Sequence, residues 1–77
     1  MPNRTPEQVT LHEAILDVLR RVGRQLPARE ISAEIERRGL YVRHDGDYPP
    51  PSQISARVRK YPHLFRAEGR PLRYEPR

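Results

Sequence analysis

The stretch Pro49-Pro50-Pro51-Ser52-Gln53-Ile54-Ser55-Ala56-Arg57-Val58-Arg59-Lys60-Tyr61-Pro62-His63-Leu64-Phe65 carries the decision about fold. Consecutive prolines cannot be helix interior, and they form a stiff, extended spacer that sets the angle at which the next helix leaves it. That helix begins at Pro51 or Ser52, with Ser52 as a cap, and it places Ile54, Val58 and Tyr61 on one face at spacings of four and three. Pro62 disfavours helical backbone at Tyr61 and closes it. Leu64-Phe65-Arg66-Ala67, a Glu68-Gly69 turn and Arg70-Pro71-Leu72-Arg73-Tyr74 then read as a two-stranded hairpin, with Pro71 confining the second strand to an edge.

Upstream, Thr10-Leu11-His12-Glu13 is a capping box, in which the Thr10 side chain accepts from the Glu13 backbone and Glu13 reaches back to Thr10. Leu11, Ile15, Val18, Leu19 and Val22 form a single apolar stripe ended by Gly23, which predicts a helix over about 11–22. Arg24-Gln25-Leu26 is a short connector or a minimal strand. Pro27, whose missing N–H costs nothing in a first turn, opens a second helix over about 28–38. Ala28, Ile31 and Ile35 are its buried stripe, and Gly39 ends it with Leu40 placed for an apolar contact. Residues 41–50, with the Asp45-Gly46 turn dipeptide and the prolines, are a loop or a small ribbon. The order is helix, connector, helix, loop, helix, hairpin: a mainly α winged helix-turn-helix with three helices and a C-terminal two-stranded wing. It spans residues 10–74, between a flexible arm at 1–9 and a tail at 75–77.

Composition narrows the function. At 77 residues the chain holds one domain with a modest core, too small for an enzyme with a buried pocket of usual size. It contains no cysteine, which excludes disulfides, thiolate chemistry and cysteine-based zinc sites. No apolar run has the length of a membrane span and no secretory signal opens the chain, so a cytoplasmic setting is expected. Lys and Arg outnumber Asp and Glu by 15 to 10, a net charge of +5 that favours a polyanionic partner. The excess is uneven. Residues 1–39 carry seven arginines against six acids, whereas residues 40–77 carry eight cations against four acids. Lys60 is the only lysine, and a GC-rich coding sequence produces such a bias; it accounts for the choice of cation but not for its position.

At Leu26-Pro27-Ala28-Arg29-Glu30-Ile31, Arg38-Gly39-Leu40-Tyr41, and Pro51-Ser52-Gln53-Ile54-Ser55-Ala56-Arg57-Val58 running into Tyr61-Pro62-His63-Leu64-Phe65, the chain resembles the HARE-type helix-turn-helix family. These winged helix domains occur in bacterial restriction-associated proteins and eukaryotic chromatin proteins. The resemblance covers about residues 10–74 and rests mostly on core and turn positions. It implies a nucleic-acid-binding or chromatin-associated adaptor, usually joined to an effector domain. The family often has Thr as the cap of the second helix, where this chain has Pro27.

In a helix-turn-helix the second helix of the motif lies in the major groove. Here that helix is 52–60. With Ile54, Val58 and Tyr61 turned inward, its opposite face consists of Ser52, Ala56, Arg59 and Lys60, flanked by Gln53 and Ser55, and contains no acid. Arg reads guanine, Gln reads adenine, Ser bonds bases or phosphate, and Ala56 permits close approach. Arg57 sits beside the Tyr61 edge of the buried stripe, where it snorkels along the core or braces the hairpin. The wing, 64–74, supplies Arg66, Arg70 and Arg73 for phosphates, and alternation groups Leu72 with Tyr74, opposite Arg73. Double-stranded DNA is thus the expected partner, with a nucleoid location. The alternative is a protein-docking adaptor without nucleic-acid contact, served by Tyr41, Val42 and Tyr48 near the prolines. Single-stranded nucleic acid would require aromatics beside the cations. No cofactor or metal is expected: His12, His44 and His63 are distant in sequence, Asp45 and Asp47 lack the other ligands of a calcium loop, and no catalytic arrangement is visible. The DNA reading requires Arg59, Lys60, Arg66, Arg70 and Arg73 to form one patch.

Overall fold

A computed structural model of the chain describes residues 10–77; the expected arm at 1–9 lies outside them. Three helices and a C-terminal antiparallel hairpin follow in order: α1 (Leu11–Val22), α2 (Ala28–Arg38), α3 (Pro51–Lys60), β1 (Phe65–Glu68) and β2 (Arg73–Pro76). The capping box forms at α1, where the Thr10 N–H donates to Glu13 Oε1 at 2.9 Å and the Glu13 N–H to Thr10 Oγ1 at 3.3 Å. Glu13 is consequently held below its ordinary carboxylate pKa, chiefly by the Thr10 backbone N–H. Gly23 and Gly39 end α1 and α2 in the left-handed region, at φ 77° and 63°, as a glycine stop requires. The Leu40 N–H bonds back to the Ile35 carbonyl and its side chain packs on the core.

Prolines open α2 and α3 where the sequence places these helices, and only the cap of α3 differs from expectation. Pro27 and Pro50 occupy the capping positions, without a side-chain hydrogen bond, and Pro51 begins α3. Ser52 therefore does not cap. It lies exposed within the first turn, because the stiff proline run already delivers extended backbone up to Pro50. The Ser32 hydroxyl donates to the buried Pro49 carbonyl at 2.6 Å and anchors the spacer to α2.

The core comprises twelve apolar residues from every element, with Leu11, Ile15, Val18, Ile31, Ile35 and Ile54 fully enclosed. Phe65 and Tyr74 bring the hairpin onto it. Leu26 and Tyr74 exchange backbone hydrogen bonds of 3.1 and 2.9 Å, so the connector is a one-residue strand beside β2. This arrangement corrects the expectation for Pro71. The second strand begins later, at Arg73, leaving Gly69, Arg70, Pro71 and Leu72 as the turn, so Pro71 lies outside β2, which is an edge of the two-stranded sheet bridged at the single residue Tyr74 by Leu26. A residue without an N–H cannot donate to the ladder, and here the turn absorbs it. The expected tail at 75–77 is likewise structural: Glu75 and Pro76 belong to β2, and the Arg77 N–H donates to the Leu64 carbonyl at 2.9 Å. Among the described residues no helix is long and apolar enough to cross a membrane.

Candidate nucleic-acid interface

α3 buries Ile54 and Val58, and its remaining surface forms a continuous arc. Successive residues turn by about 100°. The arc therefore runs from Ser55 and Arg59 on the hairpin side, through Ser52, Ala56 and Lys60, to Gln53 and Arg57 on the side of the 41–47 loop. Ser52, Ala56, Arg59 and Lys60 are exposed, and Gln53, Ser55 and Arg57 are half-buried. No acid lies on the helix. Among the described residues, the side chains of Arg57, Arg59 and Lys60 make no hydrogen bond or ion pair within the chain.

Ser55 is committed to the fold: its hydroxyl oxygen accepts from the Tyr74 hydroxyl at 3.2 Å, joining α3 to β2 and giving a buried phenol its partner. Arg57 is half-buried and makes no hydrogen bond or ion pair to the hairpin among the described residues. With Tyr41, Arg43, His44, Asp45 and Gln53 it lines an open cleft of about 400 Å³ between the loop and α3. The reason is angular, because Arg57 lies four residues beyond Gln53, on the flank of α3 away from β2.

The hairpin divides the expected wing cations. In its register Phe65 faces Pro76, Arg66 faces Glu75, Ala67 faces Tyr74, and Glu68 faces Arg73. Opposed residues share a side of the ribbon. Phe65, Ala67 and Tyr74 turn toward α3, where they line a groove with Val58, Arg59, Pro62, Leu72 and Arg77. Arg66 and Arg73 thus occupy the opposite side, together with Glu68 and Glu75. Arg66 Nε lies 3.5 Å from Glu75 Oε2. The Arg73 guanidinium folds back over the turn, where a Cβ added at Gly69 would sit 3.3 Å from Nη2. Arg70 lies exposed in the turn itself. The five cations expected to form one patch are therefore separated: Arg59 and Lys60 on α3, Arg70 at the hairpin tip, and Arg66 and Arg73 on a charge-balanced outer face. Leu72 and Tyr74 do share a side, but Leu72 remains 51% exposed.

The histidines are less isolated than their sequence separation implies. His12 stacks on Tyr61 at 4.1 Å between ring centroids, and His63 lies tilted at 6.1 Å from the same ring. No cluster of three metal-ligating side chains occurs among the described residues. Elsewhere most cations are partnered: Arg21 with Asp17, Arg24 with Glu30, Arg37 and Arg38 with Glu34, and Arg43 with Asp45. Hydrogen bonds from Arg37 and then Arg38 hold Glu34 below its ordinary pKa.

Fold and surface together define a small three-helix domain with a C-terminal hairpin whose third helix presents uncompensated positive charge. Comparison with protein-family models, curated proteins and solved structures returns no match to this chain.

Proposed function

We propose that this chain is a winged helix-turn-helix module that binds double-stranded DNA, with α3 in the major groove. The five-cation patch expected from the sequence is not formed, so this reading no longer draws on a shared helix-and-wing surface and rests on α3 alone: its acid-free arc, on which Arg57, Arg59 and Lys60 have no partner among the described residues. The Leu26–Tyr74 bridge and the contact of β2 with α1 favour the winged helix assignment, with the Tyr74–Ser55 hydrogen bond tying β2 to one flank of α3 while Ser52, Ala56 and Lys60 stay exposed. Ser52, Gln53 and Ala56 lie among the cations and supply the residue types that approach base edges. The wing contributes through Arg70 at its tip, and Arg66 and Arg73 contribute little.

A docking adaptor would need Tyr41, Val42 and Tyr48 as a contiguous exposed surface and α3 cations tied in internal pairs. Tyr41 is packed against the core and the α3 cations have no partner among the described residues, so DNA is preferred. The test is fluorescence anisotropy on a mixed-sequence duplex of about two helical turns, titrated at several salt concentrations, with a single strand of the same sequence for comparison. Duplex binding should weaken steeply with salt, and Arg59→Ala/Lys60→Ala should lower the salt slope by about two. Absence of binding at low salt, or a double variant indistinguishable from wild type, would overturn the proposal.

A further inference from the structure

We infer that the cleft between the 41–47 loop and α3 is an oxyanion site that grips one phosphate of the bound nucleic acid through Arg57 and Arg43; this rests on the DNA reading above. Tyr41, Arg43, His44, Gln53 and Arg57 surround about 400 Å³ of open space, and Asp45 is the one acid among the lining residues. That carboxylate is already engaged. Its Oδ2 lies 3.1 Å from Arg43 Nη2, and its Oδ1 accepts from the Asp47 N–H at 3.0 Å. Two arginines thus line the cleft against a single carboxylate among its lining residues.

The loop is set before any ligand arrives. The Arg43 N–H donates to the Asp47 carbonyl at 2.8 Å, and the Gly46 N–H to the Arg43 carbonyl at 3.0 Å, with Gly46 at φ 90°. Asp45 thus orients Arg43 without consuming its donors, since a guanidinium has five N–H groups. Arg57 approaches from α3, half-buried and without a partner among the described residues. A partly desolvated guanidinium in that state fits a phosphate, which accepts two parallel N–H bonds in the geometry Arg presents. Gln53, one turn earlier on the same flank, places an amide at the cleft wall. A phosphate held here would align the nucleic-acid backbone beside Gln53 and Lys60 and so fix how α3 sits in the groove.

The experiment has two arms on the whole chain. The duplex arm compares wild type, Arg57→Ala, Arg57→Lys, Lys60→Ala and Arg73→Ala by anisotropy across salt. Arg57→Ala should weaken binding about tenfold and reduce the salt slope by about one, and Arg57→Lys should restore the slope but not the full affinity. The second arm titrates inorganic phosphate while following the Gln53 side-chain amide and Arg57 Nε by NMR, with shifts expected in wild type and lost in Arg57→Ala. Duplex affinity that falls with Lys60→Ala but is unchanged by Arg57→Ala overturns the cleft and leaves the DNA reading standing. Phosphate-dependent shifts in a chain that binds no duplex overturn the DNA reading and identify the cleft as a site for a free phosphate group. No response to either ligand overturns both.

Discussion

Arg57 and Arg73 show how little a cation's type says about its use. Both are arginines of the basic C-terminal half without a partner among the described residues, yet Arg57 lines a cleft with Arg43 and Arg73 folds over a turn on a face it shares with Glu68 and Glu75. Arg73→Ala should accordingly leave duplex affinity within about twofold, as expected for a solvated charge in a balanced neighbourhood, and anisotropy against Lys60→Ala checks this. Tyr74 illustrates the opposite case, a polar atom fixed by burial. Tyr74→Phe removes the hydrogen bond to Ser55 and should cost about 0.5–1.5 kcal/mol in urea denaturation. Glu13 provides a pH-dependent readout. Its pKa is lowered in the folded chain, so its contribution is present above its ordinary value and is lost as pH falls through the lower folded value. Thermal stability should therefore decline on acidification below about pH 4.5, and less steeply in Glu13→Gln, as circular dichroism melts at stepped pH would show.

Among the elements, helix boundaries were the most legible part of the chain. A capping box, two glycine stops and an apolar stripe act within a turn or two of backbone, so α1 and α2 fall where periodicity places them. Gly39→Ala tests one such stop. At φ 63° a Cβ is strained, and the variant should lose about 1 kcal/mol although no neighbouring atom lies within contact distance of the added carbon. The hairpin was legible as an element but not in its register. Local signals place its turn at Glu68-Gly69 and leave 75–77 as a tail, whereas the turn spans residues 69–72 and Glu75 and Pro76 complete β2. The pairing is the cause, because Glu68 opposite Arg73 is the last pair of the ladder and leaves Gly69, Arg70, Pro71 and Leu72 to close it.

For the molecule as a whole, stability rests on a small core that every element shares. Ile54 lies fully enclosed beneath the proposed recognition helix, so Ile54→Ala should cost about 2–5 kcal/mol, a large share of what a domain of this size holds. Folding and binding should separate in salt: added salt weakens duplex binding steeply while denaturation midpoints move little, because the fold rests on apolar burial and exposed ion pairs. The sequence by itself determined three helices, their ends, the residues that line the core and the presence of a basic helix followed by a hairpin, because each depends on groups a few positions apart. Which cations share a surface was decided only by tertiary structure. Ser55 meets Tyr74 across 19 residues, and Gln25 donates to Glu68 across 43. The strand register sets Arg66 against Glu75, and the folded loop carries Arg43 to Arg57. The direction of a charge depends on what packs behind its backbone, and those neighbours are distant along the chain. The positive charge of the C-terminal half was therefore readable in advance, whereas its division between an open helix face and a neutral ribbon face was not.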